Sequence, residues 1–156
     1  MPSTDRFRRP SAHEKLLSQL TDKNTGPFVT MVEAMMFAAL LGHRKSGRES
    51  FTDSDEPIRL SVMEGRPYGD VLLDVLAAVE HDDDPKILGD EHQADRVLIF
   101  EEYANGGLSY LQTLISRQSA KSLQAIVSDL VLDGLQENPV VEDEVGEFLA
   151  SADLDW

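Results

Sequence analysis

The sequence predicts a mostly α-helical protein, a small single-domain bundle of about six helices with one or two short strands. Three observations carry this expectation. Apolar residues recur at helical spacing through most of the stretch between residues 12 and 136, as they do in helices with one buried face. Capping signals stand before several of these runs. At 156 residues and 41% hydrophobic content, the chain has the size of one domain and enough apolar surface to fill a core. The reading is one helical domain over 1–136, made of a head (1–50) and a body (51–136), followed by an acidic tail over 137–156.

In order along the chain, residues 4–9 read Thr-Asp-Arg-Phe-Arg-Arg, an arm that would place Arg6 and Arg8 on one face if extended. Pro10 blocks its continuation. Ser11 and Glu14 have capping-box spacing, and a first helix is predicted over 12–20, with Leu16, Leu17 and Leu20 as its stripe. Asn24-Thr-Gly-Pro27 is turn chemistry. Thr30 and Glu33 repeat the capping box before a second helix over 30–41, apolar around most of its circumference and therefore central to the core or to an interface. Gly42 is the expected stop, and His43-Arg44-Lys45 then suits a helix C-terminus.

Residues 46–57 are polar and read as a loop. Ile58, Leu60 and Val62 alternate with polar residues, a short strand signal that Gly65-Arg-Pro67 ends. A third helix is predicted over 69–81, carrying Val71, Leu72, Val75, Leu76 and Val79. After the acidic loop His81–Pro85, Asp90 is positioned to cap a fourth helix over 91–104. Gly106-Gly107 separates it from a fifth over 108–121. Ser122 is positioned to cap a sixth over 123–136.

Charge is divided by position. Residues 1–50 carry eight Lys/Arg against five Asp/Glu, whereas residues 51–156 carry six against twenty-four, so a head of +3 joins a remainder of −18. A basic head on a repulsive body suggests an anionic partner for the head, nucleic acid being the usual one. Asp outnumbers Glu by sixteen to thirteen, and Arg outnumbers Lys by nine to five. Such a surface fits a halophilic host, an ordinary acidic protein, or a DNA mimic whose carboxylates stand in for phosphates.

Several classes are excluded or disfavoured. With no cysteine there is no disulfide framework and no thiolate zinc site. The start MPSTDRFRRP lacks the apolar stretch of a secretory signal, and no apolar run approaches the roughly 20 residues that span a bilayer. A cytoplasmic protein without a membrane partner is expected. No Gly-rich phosphate loop, Gly-x-Ser-x-Gly elbow or His-Glu-x-x-His motif occurs, so no enzyme, cofactor or metal centre is predicted. Asp82, Asp83 and Asp84, with Asp90, Glu91 and His92 nearby, lack the glycine and spacing of a calcium loop and read as solvated. Glu101 and Glu102 are helix neighbours pointing about 100° apart, which does not suit them to one substrate.

The candidate nucleic-acid contacts are Arg6, Arg8, Arg9, Lys15, Arg44, Lys45 and Arg48. Strand, helix, turn and helix follow one another in the head as in a ribbon-helix-helix unit, where two protomers pair strands and alternate strand residues enter the major groove. Arg6 and Arg8 would then reach bases or phosphates. A solvated basic terminus, and simple dipole compensation by Arg44, Lys45 and Arg48, remain open beside that reading.

Several stretches together resemble one known family. They are Arg8-Arg9-Pro10 with His13-Glu14, Pro27-Phe28 with Thr30, Ala34-Met-Met-Phe-Ala-Ala-Leu-Leu-Gly42, Glu56-Pro-Ile-Arg-Leu60, Asp84-Pro-Lys-Ile-Leu88 and Ile99-Phe-Glu-Glu-Tyr-Ala-Asn-Gly-Gly-Leu108. Across residues 6–115 the chain is similar to protein four of the DNA phosphorothioation-associated (dnd system-associated) proteins. The resemblance implies a prokaryotic antiphage setting, beside genes that put sulphur into the DNA backbone and restrict DNA lacking that mark. It transfers no catalytic residue. The expected function is therefore a non-catalytic accessory component that binds DNA, partner subunits of the restriction system, or both. The alternatives are a ribbon-helix-helix transcriptional regulator acting as a homodimer, and an acidic DNA mimic or structural adaptor.

Overall fold

Burial of Phe7 organises the amino-terminal end. In the computed structural model, which describes residues 5–136, strand β1 (Arg6–Pro10) buries Phe7 and Pro10 and pairs antiparallel with β2 (Ser54–Arg59). Arg6 stands opposite Arg59, Phe7 opposite Ile58, and Arg9 opposite Asp55. Between Phe7 and Arg9 the register slips by one residue. This bulge lies beside Pro57, which has no N–H to give a ladder. The predicted acidic tail over 137–156, and Thr4 of the arm, lie outside the described residues.

The ladder corrects the ribbon-helix-helix expectation. β1 finds its partner within its own chain, and on another side the Arg8 backbone N–H donates to the Glu101 carboxylate. The 46–57 stretch is thus not all loop, because its last residues supply β2. The strand predicted from Ile58, Leu60 and Val62 is also displaced: β2 ends at Arg59, and Leu60–Glu64 forms the short helix α3. Leu60 and Met63, three apart, are the residues that go inside, while Val62 stays exposed.

Helix α1 (Glu14–Leu20) follows a 3-10 turn over Ser11–His13. Ser11 does not cap it. Its hydroxyl donates instead to Asp55 at 3.3 Å, and Glu14 ion-pairs with Arg9 at 3.0 Å, so both capping-box residues are used to tie the helix to the sheet. Helix α2 (Met31–Leu41) starts as predicted, the Thr30 hydroxyl accepting from the Glu33 N–H at 3.3 Å. Gly42 does not stop it. The chain continues through a π turn, Gly42–Ser46, and leaves at Gly47 with φ 81°. Gly42 is used for close approach: a Cβ there would lie 1.9 Å from the Tyr103 carbonyl oxygen.

Helix α4 (Gly69–Glu80) matches its prediction closely. The predicted fourth and fifth helices are one, α5 (Gln93–Arg117), entered through a 3-10 turn over Asp90–His92. Gly106 and Gly107 lie inside it, where a Cβ would meet the Gly47 and Ala38 carbonyl oxygens at 2.0 and 1.8 Å. Helix α6 (Leu123–Gln136) begins at Ser122, whose hydroxyl accepts from the Ala125 N–H at 3.1 Å.

α5 runs through the core with α2 packed along it. Leu16, Leu17 and Leu20 of α1, Met35 of α2, Met63 of α3, Leu108 and Leu111 of α5, and Ile126 of α6 are sealed from solvent. Phe7 meets Phe100 edge-on with centroids 5.2 Å apart. Full burial of such side chains contributes roughly 1.5–3 kcal/mol each. Residues on both sides of position 50 fill the same core, so the basic head is built into the body.

Candidate functional site

The arginines expected to meet DNA are largely held by carboxylates. Arg8 bonds Glu101 through Nε at 3.1 Å and Nη2 at 3.0 Å. Its guanidinium also stacks on the Phe51 ring, 4.4 Å from the centroid, and donates to the Phe51 carbonyl. Glu101 is buried on α5. Taking the Arg8 side chain and backbone N–H together gives that carboxylate the partners its burial requires. Arg9 pairs with Glu14 and donates to the Glu56 carbonyl at 2.9 Å. Arg48 bridges Glu80 of α4 at 2.9 Å and Glu102 of α5 at 2.6 Å.

Glu101 and Glu102 are sequence neighbours on one helix, so their side chains diverge by about 100°. Arg8 and Arg48 therefore meet α5 from different directions. The remaining candidates are more open. Lys15 is exposed on α1, and Arg44 and Lys45 are exposed on the π turn, with Arg44 donating to the Gly134 carbonyl of α6 at 3.4 Å. Arg6 and Arg8 border one recess of about 180 Å³ between the sheet and α5. Arg48 borders a different one, of about 400 Å³, with His81, Asp84 and His92.

Behind Arg48 sits a polar knot. The Tyr103 hydroxyl donates to Glu80, and the His43 ring meets Tyr103 edge-on at 5.3 Å. The tyrosine's hydrogen bond and the Arg48 guanidinium hold the Glu80 carboxyl below its ordinary value. Burial and Glu80 push the Tyr103 hydroxyl up to about 12. The Asp82–Asp84 run has a structural use too, Asp84 accepting from the Lys86 N–H at 3.1 Å at the start of a 3-10 turn, Pro85–Leu88. Among the described residues no group of three or more His, Asp or Glu is placed to hold a metal ion. No helix among them is long and apolar enough to cross a membrane.

The feature that helical periodicity concealed is a ridge on α4. The predicted stripe of five apolar residues is split: Leu72 and Leu76 face the core, but Val71, Val75 and Val79 remain about half exposed. Tyr68 heads this row three residues before Val71, 80% exposed and at φ 65°. A bulky residue in the left-handed region costs about 1–3 kcal/mol. It is imposed by the tight reversal into α4, where Gly69 packs so closely that a Cβ would lie 1.7 Å from the Met63 carbonyl oxygen. Pro67-Tyr68-Gly69 ahead of a stripe wider than one core face was the sequence signal available.

Fold and surface together define a small, mostly α-helical, strongly acidic protein whose arginines are largely used in its own ion pairs. Its sequence places it more narrowly. The family model described as DNA sulphur modification system-associated protein 4 matches residues 6–148, and the chain belongs to that family. Membership associates it with a DNA sulphur modification system. No curated protein and no solved structure matches the chain.

Proposed function

We propose that this protein is a non-catalytic accessory component of a DNA phosphorothioation-linked restriction system, and that it works by docking on the system's other protein subunits. The observation that carries this reading is the ridge of Tyr68, Val71, Val75 and Val79, four exposed apolar or aromatic residues in one row along α4. Exposed apolar rows rimmed by polar residues are what protein interfaces use. A protruding tyrosine is among the commonest residues to dominate binding energy, and strain kept at such a residue supports a functional use. Asp70 on α4 and exposed Asp82 and Asp83 beyond its end flank the ridge with negative charge. The complementary partner has an apolar groove with a Lys/Arg rim.

The test is co-expression of the full chain with the system's subunits, followed by co-purification of wild type, Val75→Asp and Tyr68→Gly. Both substitutions lie at exposed sites, and Tyr68→Gly removes the left-handed strain, so the variants fold. Loss of the complex in both supports the reading. A complex that survives Val75→Asp overturns it, and one that instead disappears on neutralising Asp82 and Asp83 assigns the contact to the carboxylates, as in an acidic mimic.

A further inference from the structure

Arg6 and Arg59 face each other in the β1–β2 ladder, and directly opposite residues of an antiparallel pair project to the same side. Two guanidinium groups so placed repel, and like charges in this position are destabilising. The protein has twenty-nine carboxylates, and five other arginines, Arg8, Arg9, Arg48, Arg66 and Arg96, are each matched to one. Among the described residues the Arg6 and Arg59 side chains make no hydrogen bond or ion pair. Both border one open depression of about 390 Å³, whose wall also carries the Ser61 hydroxyl and Gln93.

We infer that the Arg6–Arg59 pair is a seat for one phosphodiester of the DNA backbone. Two guanidinium groups on the wall of one depression supply the N–H donors that match a tetrahedral oxyanion, and Ser61 adds a neutral donor. Asp5 and Glu64 share the wall, so its formal charge is near balance. That favours a singly charged diester over a doubly charged terminal phosphate. It also restricts binding to contact range, since a near-neutral wall on a protein of net charge −15 attracts nothing from a distance. An ordinary diester and its sulphur-substituted form share this charge and shape, and both are expected to enter.

The inference does not depend on the α4 ridge, and its test needs no partner protein. A fluorescent DNA duplex, with or without a single sulphur-substituted diester, is titrated with full-length protein between 50 and 200 mM KCl. Arg6→Gln and Arg59→Gln are each expected to weaken binding about tenfold and to lower the salt slope by about one. Arg117→Gln, which removes an exposed cation at the far end of α5, leaves both unchanged. Thermal melting supplies a second readout: Arg59→Gln relieves the cross-strand repulsion and melts higher without ligand. Equal affinity for the two duplexes assigns the seat to the diester itself, and a difference assigns it to one form. No DNA binding by wild type, equal losses in Arg117→Gln, or unchanged affinity in both Arg6→Gln and Arg59→Gln overturns the inference.

Discussion

Gly107 of α5 faces the carbonyl oxygen of Ala38 on α2 across a gap that no side chain can enter: a Cβ there would lie 1.8 Å from that oxygen. The atom in the way is backbone, so it cannot rotate aside. Gly107→Ala should therefore force the two helices apart and destabilise the protein by about 1–3 kcal/mol, seen as a lower urea midpoint with an unchanged slope. Gly134→Ala on α6 is the control. The nearest atoms there belong to the Arg44 side chain at 3.9 and 4.0 Å, and replacing a helical glycine in open space should stabilise by roughly 0.5–1 kcal/mol.

The same seam shows what the sequence could and could not reveal. Local signals located α2, α4 and α6 well, because Thr30, Ser122 and the apolar periods act within a few residues. Gly106-Gly107 was misleading for a physical reason. A glycine pair lowers helix propensity whether it ends a helix or lets another backbone approach, and only the position of Ala38 and Gly47, some sixty residues away, decides which. The surroundings of the candidate arginines were hidden for the same reason. Arg8 and Arg48 were visible as cations, but their partners Glu101 and Glu102 are remote in sequence. A basic head was legible as composition, whereas the neutralisation of much of it was a property of packing.

Arg8 is expected to matter more for stability than for ligand contact. Removing its side chain leaves Glu101 buried with only the backbone N–H as a donor. Arg8→Ala should cost about 2 kcal/mol, below the usual cost for a fully buried pair because Arg8 itself is partly solvated. The double variant Arg8→Met with Glu101→Leu should recover much of that loss, since no charge is then stranded. Denaturant titration of the single and double variants gives the coupling. A double variant as unstable as the sum of both singles would count against the pair.

The Tyr103–Glu80 knot predicts stability that falls at both ends of the pH scale. Tyr103 holds its proton up to about 12 in the fold, against about 10 for an ordinary tyrosine. Between those values the unfolded chain has released the proton and the fold has not, so unfolding gains as pH rises. The Glu80 carboxyl is shifted the opposite way, downward, by its hydrogen bond from Tyr103 and by Arg48. Its contribution is present above the ordinary glutamate value of about 4.3 and is lost as pH falls through the lower folded value. Tyr103→Phe should flatten the alkaline limb in melting curves taken from pH 9 to 12 and weaken the acid one. An alkaline limb unchanged in Tyr103→Phe assigns it to another group.

Glu14 runs against Glu80, and the reason lies at the sheet. Burial, followed by the neighbouring Asp55 carboxyl, raises the Glu14 carboxyl above the ordinary range even though Arg9 opposes the shift. One oxygen of Asp55, Oδ2, is buried without a partner among the described residues, while the other accepts from Ser11. A protonated Glu14 supplies Asp55 with the donor that an ionised one cannot. For a group whose folded value is raised, the stabilisation is complete below the unfolded value of about 4.3 and is lost as pH climbs through the folded one. Glu14→Gln keeps an N–H donor for Asp55 at every pH and gives up the charge that Arg9 uses. The stability difference between variant and wild type, followed by denaturant titration from pH 4 to 7, should shift toward the variant as pH rises. A difference that stays level across that range shows that no proton is shared between α1 and β2.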